Sequence, residues 1–380
     1  MRRLVAVDLP AGEGFFAVLR RAFDEGDAIF PLDPRLPAPA RRALLGAIRP
    51  GAIVDAQGFR LLEDGLPTEE GDALVVATSG TTGEPKAAVL GLDAVVASAW
   101  ATCRRLGVDP ASDRLLACLP LAHVGGLSVL TRALVSGTPI EIQSGFDPVE
   151  VKAALGRGAS VVSLVATALA RLGPEAAAFR RIVLGGAAAP AAIPRNVVTT
   201  YGLTETGSGV VYDGVPLDGV EVAIGPDGVI SLRGPMLLRR YRDGSDPKDA
   251  AGWLRTGDVG SFGAGGRLVV HGRLDEVIVT GGEKVWPQAV EDVICTLAGV
   301  AECAVAGVAD PEWGSRVVAF VVPQKGAASY TLDEVRGLVR AELGPVAAPK
   351  ELVIVARLPR TALGKVRRGE LVALAGASSR

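Results

Sequence analysis

The run Thr78-Ser79-Gly80-Thr81-Thr82-Gly83-Glu84-Pro85-Lys86 gathers hydroxyls, glycines and one lysine directly after an apolar strand candidate, Ala73 to Ala77. Glycine lets backbone N–H groups approach an anion closely. The hydroxyls add hydrogen bonds, and the lysine supplies positive charge for phosphate oxygens. Such a loop suits the holding of a polyphosphate. It is not a Walker loop, because no Ser or Thr follows Lys86. A different nucleotide-binding fold is therefore expected.

Further strings carry complementary chemistry. Tyr201-Gly202-Leu203-Thr204-Glu205 offers an aromatic face, a hydroxyl and a carboxylate. Mg²⁺ prefers hard oxygen ligands and is commonly held by one or two carboxylates together with nucleotide phosphates. Alone, the same string also reads as a Thr-Glu turn capping a helix. Gly185-Gly186-Ala187-Ala188 follows the strand candidate Ile182 to Leu184. Trp253-Leu254-Arg255-Thr256-Gly257-Asp258 ends on a carboxylate able to accept two hydroxyl donors. Gly272-Arg273-Leu274-Asp275-Glu276 leads through a strand candidate to Gly281-Gly282, and glycine there would let a ligand approach the backbone. Near the end, Leu358 to Arg368 contains Lys365, which by itself reads as an ordinary surface lysine in a basic tail.

Taken in order, these strings resemble the motifs of the adenylate-forming superfamily, which includes acyl-CoA synthetases, luciferases and the adenylation domains of peptide synthetases. The resemblance implies that Thr78, Ser79, Gly80, Thr81, Thr82, Gly83 and Lys86 bind phosphates. Gly185, Gly186 and Ala187 would line the adenine, and Tyr201 would stack on it. Thr204 would reach phosphate and Glu205 would hold Mg²⁺. Asp258 would accept the ribose hydroxyls, Arg273 would reach ribose or phosphate, and Asp275 would be the interdomain pivot. Gly281 and Gly282 would lie along the pantetheine arm of coenzyme A, and Lys365 would be the catalytic cation. His123, in Leu119-Pro120-Leu121-Ala122-His123-Val124-Gly125-Gly126-Leu127, resembles a block bordering the acyl pocket; a packed, hydrogen-bonded histidine is the other reading.

The activity so implied is ATP- and Mg²⁺-dependent conversion of a carboxylic acid to an acyl-AMP, then transfer of the acyl group to CoA. The phosphate loop is reached early, so a shortened first subdomain is expected. That feature, with Ser163 to Leu172 and the passage from Tyr201 to Leu217, is similar to the bacterial o-succinylbenzoyl-CoA synthetases of menaquinone biosynthesis. Ala166 departs from the proline of that group's Ser-Leu-Val-Pro-Thr string. His123, Thr167 and Ser208 are the residues to which substrate recognition is assigned. Two alternatives stay open, another acyl-CoA ligase or carrier-protein-loading adenylation domain, and a non-catalytic nucleotide-binding regulator.

The elements that must position these residues are legible in outline. Helix patterns span Phe15 to Phe23 and Pro39 to Ala47. Strand candidates at Ala73 to Ala77, Leu115 to Leu119, Val161 to Val165 and Ile182 to Leu184 alternate with helical stretches, which favours α/β layers with mainly parallel strands. Short strands around Gly-Pro-Asp-Gly between Val220 and Leu232 point to a small β-rich subdomain. A separate α+β domain follows, with helices at Pro287 to Leu297 and Leu332 to Leu343. The expected fold class is thus α/β: a large N-terminal domain over 1–272, a hinge at 273–276, and a small mobile C-terminal domain over 277–380 carrying Lys365.

Composition removes other classes. Across 380 residues, 49% are hydrophobic and 22% charged, which fits packed domains rather than extensive disorder. A net charge of -2 gives no positive field for nucleic acid. Asp8, Pro10 and Glu13 interrupt the start before a secretory apolar core, and Ala159 to Ala170 falls short of the roughly 20 residues that span a bilayer. A cytoplasmic protein acting on small molecules is expected. Cys103, Cys118, Cys295 and Cys303 read as reduced, mostly buried thiols, and a homodimer is compatible with the sequence. His271 matches nothing catalytic.

Overall fold

The computed structural model describes residues 2–78, 86–187, 189–190, 193–324, 326, 330–360 and 366–378, the last three by backbone only. All four side chains of the strand Leu4–Val7 are buried, as are those of Ala28–Pro31. Both lie inside a seven-stranded sheet ordered Arg240–Tyr241, Ala87–Gly91, Asp72–Ala77, Ala28–Pro31, Leu4–Val7, Ala52–Asp55, Gly58–Leu61. The first seventy residues therefore contribute four strands that the sequence pattern does not reveal. Leu4–Val7 and Ala28–Pro31, buried on both faces, are short apolar runs without alternation, so period alone cannot mark them. This sheet is mixed, because Asp72–Ala77 pairs antiparallel with Ala87–Gly91.

A second seven-stranded sheet runs Val215–Pro216, Gly209–Tyr212, Val197–Gly202, Arg181–Leu184, Val161–Leu164, Leu115–Ala117, Ile140–Ile142. Its pairings from Val197–Gly202 through Ile140–Ile142 are parallel, as expected from the strand and helix alternation. Leu116, Leu164, Phe179 and Ile182 pack in its core. In a parallel sheet, ligands bind beyond the carboxyl ends of the strands. Here those ends lead to Val165 and to Gly185.

The short strands flanking Gly-Pro-Asp-Gly are Glu221–Ile224 and Val229–Arg233, in a four-stranded sheet with Leu254–Phe262 and Leu268–Arg273. Residues 1–223 with 231–255 form one compact unit, and 224–230 with 256–380 form the other. Pairing of Leu254–Phe262 with Leu268–Arg273 keeps most of that hairpin in the second unit. A compact unit records packing, and a pivot is a separate property.

The second unit also holds the three-stranded sheet Val300–Asp310, Gly314–Pro323, Glu351–Ile354 and the helices Pro287–Ile294, Leu332–Leu343 and Arg368–Ser378. Thr331 caps Leu332–Leu343 by accepting from the Glu334 N–H, while the Glu334 carboxylate accepts from the Thr331 N–H, which sharply fixes the helix start. Among the described residues, no helix is long and apolar enough to cross a membrane. Cys103 and Cys118 are buried, Cys303 is half-buried and Cys295 is exposed, so burial of the thiols is only partial.

Candidate active site

The string from Tyr201 to Glu205 ends the strand Val197–Gly202 and enters the 3₁₀ turn Thr204–Thr206. Thr206 is wholly buried and builds that turn: its hydroxyl accepts from the Leu203 N–H at 2.8 Å and bonds the Ser208 carbonyl at 2.7 Å. Gly202 is required for close approach, since a Cβ there would overlap the Ser208 carbonyl oxygen. Gly202→Ala should therefore destabilise the protein by about 1–3 kcal/mol, the usual cost of overpacking. Thermal denaturation checks this, and an unchanged melting temperature would show that the turn relaxes freely.

Thr78 and Lys86 face each other at the end of the antiparallel pair Asp72–Ala77 and Ala87–Gly91, the Thr78 N–H donating to the Lys86 carbonyl at 2.8 Å. Residues 79–85, which include Ser79, Gly80, Thr81, Thr82 and Gly83, lie outside the described residues. Lys86 is exposed, and its Nζ stands 5.4 Å from the ring centroid of Tyr241. The Tyr241 hydroxyl in turn donates to Glu205 Oε1 at 2.9 Å. Burial first, and the neighbouring Glu205 carboxylate second, push the Tyr241 phenol above its ordinary value, so it keeps its proton and acts as donor. The fold thus gathers Lys86, Tyr241 and Glu205, which are far apart in sequence, within the first unit.

Glu205 makes no ion pair among the described residues, and its carboxylate accepts from the Tyr241 hydroxyl. Those residues also contain no group of three or more His, Cys, Asp or Glu that could hold a metal unaided. One carboxylate completed by substrate phosphates is the donor set Mg²⁺ takes, so the site fits that ion.

The second unit gathers Asp258, Arg273 and Asp275. Asp258 and Arg273 are direct partners across antiparallel strands, which brings the guanidinium to 3.4 Å from Asp258 Oδ1. Arg273 Nε donates to Asp275 Oδ1 at 3.1 Å. Burial opposes the charge of Arg273, but Asp275 and Asp258 outweigh it and hold its pKa above the ordinary arginine value. Gly281 and Gly282 are the central pair of a tight hairpin between Ile278–Thr280 and Glu283–Val285, with φ of 58° and 84°. Consecutive positive φ angles already favour glycine there. A Cβ on Gly281 would also stand only 3.0 Å from the Trp313 ring.

Other expected positions are distributed through the first unit. Gly185, Gly186 and Ala187 follow the strand Arg181–Leu184, whereas Ala188 is outside the described residues. His123 precedes the helix Val124–Ser136, its Nε2 3.8 Å from Asp33 Oδ2. Thr167 is exposed at the start of the helix Ala166–Leu172. Ser208 is buried, its hydroxyl 2.8 Å from that of Ser98. Lys365 lies outside the described residues. His271 stacks on Trp286 and bonds Ser261, in keeping with the structural role expected of it.

Two residues were not singled out from sequence. Tyr241 lies in an arginine-rich run and a two-residue strand, and only its distant partners give it meaning. Arg132 is 4% exposed in the helix after His123, yet its hydrogen bonds go to the Ser128 carbonyl, Ser128 Oγ and Ser163 Oγ, with no ion pair among the described residues. A buried guanidinium without a carboxylate is costly.

Comparison with known proteins gives these geometries a family. The model for AMP-binding enzymes matches residues 55–241, and that for the AMP-binding enzyme C-terminal domain matches 289–365. A protein of Mycobacterium tuberculosis named "Probable 2-succinylbenzoate--CoA ligase" is 41% identical over 393 residues, covering 97% of each chain. The chain belongs to the AMP-binding, adenylate-forming enzyme family. Another relative, "2-succinylbenzoate--CoA ligase" of Listeria monocytogenes, is 34% identical over 79% of this chain and 69% of its own. Among solved structures, the o-succinylbenzoate CoA synthetase of Bacillus subtilis in complex with the acyl-adenylate intermediate OSB-AMP superimposes with a TM-score of 0.85. It is 26% identical, over 98% of this chain and 88% of that one. The same Bacillus protein has also been solved with ATP and a magnesium ion. This member of the AMP-binding enzymes has the α/β fold, with a small C-terminal region, that its motifs implied.

Proposed function

We propose that this AMP-binding enzyme converts 2-succinylbenzoate, ATP and CoA to the 2-succinylbenzoyl thioester, AMP and pyrophosphate, a step of menaquinone biosynthesis. The observation that carries the reading is the Lys86, Tyr241 and Glu205 group, present in a chain 41% identical to a protein named for that ligase activity. Arg132 makes no ion pair among the described residues, and a second carboxylate on the acid would supply a counter-charge if it reached this buried guanidinium.

Thr78 through Lys86 and Thr204 bind the ATP phosphates, Glu205 holds Mg²⁺, and the bound ion would neutralise charge developing on the phosphates. Tyr201 and the turn Gly185 to Ala187 take the adenine, Asp258 takes the ribose, and Arg273 reaches the ribose or a phosphate. A substrate carboxylate oxygen attacks the α-phosphorus, pyrophosphate leaves, and Lys365 neutralises charge growing at that centre. Residues 277–380 then rotate about Asp275 within the hinge 273–276, relative to 1–272. That motion withdraws Lys365 and brings Gly281 and Gly282 beside the pantetheine arm. The CoA thiol, losing its proton, attacks the acyl carbon and AMP leaves. His123, Thr167 and Ser208 contribute to holding the acid. Because ATP and CoA are co-substrates, the proposed place of work is the cytoplasm.

The test is a panel of carboxylic acids, 2-succinylbenzoate included, assayed for AMP release with CoA or with an acyl carrier protein. Acid-dependent and CoA-dependent AMP release, greatest with 2-succinylbenzoate, is expected. Release with another acid alone would overturn the substrate, and release only with a carrier protein would overturn CoA as acceptor.

A further inference from the structure

Tyr241 belongs to no string assigned above, yet it touches both charged groups placed around the phosphates. The segment that carries it is held from every side. The Leu238 N–H donates to the Glu205 carbonyl at 2.7 Å, fastening the segment to the turn that carries Glu205. The Arg239 and Arg242 N–H groups donate to Val89 and Ala87 carbonyls, so the backbone also rides on the strand that begins just after Lys86. Arg239 and Arg240 pair with Asp72, whose side chain is fully buried, and Arg242 donates to the Ile48, Pro67 and Leu66 carbonyls. A two-residue strand with so many anchors leaves the phenol little freedom. Its hydroxyl meets one Glu205 oxygen and its ring lies beneath the Lys86 ammonium.

We propose that Tyr241 is a positioning residue for Mg·ATP, its hydroxyl orienting the Glu205 carboxylate toward the ion and its ring face holding Lys86 toward the phosphates. The proposal rests on the reading of Glu205 as the Mg²⁺ ligand. A carboxylate with one oxygen fixed by a phenol presents the other in a single direction, whereas a free glutamate samples several rotamers before binding. The ring–ammonium contact works similarly on a flexible lysine stem.

Tyr241→Phe removes the hydroxyl and keeps the ring, whereas Tyr241→Leu removes both. Manganese binding is read by electron paramagnetic resonance on the protein with a non-hydrolysable ATP analogue, alongside the Mg²⁺ dependence of ATP–pyrophosphate exchange. Tyr241→Phe should weaken Mn²⁺ binding about tenfold, as loss of a hydrogen bond to a charged group does. It should shift the Mg²⁺ midpoint upward similarly, with exchange returning near wild type at saturating Mg²⁺. Tyr241→Leu should in addition raise the KM for ATP, through loss of the Lys86 contact. Unchanged Mn²⁺ binding in Tyr241→Phe, or a loss of exchange that Mg²⁺ does not rescue, would overturn the proposal. Wild-type protein that neither exchanges pyrophosphate nor binds Mn²⁺ with the analogue would overturn the underlying ligase reading instead.

Discussion

Glu205→Gln should lower ATP–pyrophosphate exchange on the order of a hundredfold or more, because a charged oxygen ligand of the ion is exchanged for a neutral amide of the same shape. Its carbonyl can still accept the Tyr241 hydrogen bond, so the turn built by Thr206 should survive and the melting temperature should stay close to wild type. The loss should be concentrated in the first half-reaction. Thioester formation from a supplied acyl-AMP involves no pyrophosphate and should change by no more than about a few-fold, since the removed charge serves ATP. Exchange at the wild-type rate under limiting Mg²⁺ would remove Glu205 from the metal site.

Lys365→Ala should be comparably severe but distinguishable. Loss of one well-placed charge stabiliser commonly costs on the order of a hundredfold or more in rate. The lysine is assigned to the transition state for attack on the α-phosphorus, so the fall should appear in kcat for adenylation, with no change in the Mg²⁺ midpoint. Supplied acyl-AMP should still be converted to the thioester at a rate near wild type. Single-turnover assays of each half-reaction make the comparison, and equal damage to both would refute the assignment. The contrast with Glu205→Gln lies in metal dependence, which only the glutamate should alter.

The proposed change of domain orientation between the half-reactions bears on one further arrangement in the second unit. Asp275, the proposed pivot, is exposed and shares the Arg273 guanidinium with the buried Asp258. The residue proposed to reach the ribose or phosphate is thereby bonded to the residue about which the chain is proposed to turn.

The strings from Thr78 to Lys86, Tyr201 to Glu205, Trp253 to Asp258, Gly272 to Val285 and Leu358 to Arg368 were sufficient to specify the family, because phosphate cradles and tight turns place glycines, hydroxyls and charges at fixed local spacing. Helices with a single buried face were likewise legible: Leu332–Leu343 begins and ends where its pattern and its Thr331 cap dictate. Local order was enough wherever the physics was local. What needed the tertiary structure was pairing across the chain. Leu4–Val7 and Ala28–Pro31 pair with strands on both edges and are buried on both faces, and burial of both faces erases the periodic signal. Tyr241 gains its place from Glu205 and from the strand beginning at Ala87, and Arg132 stands out because it is buried and makes no ion pair among the described residues. Such relations depend on distances between residues remote in sequence, which spacing along the chain does not encode.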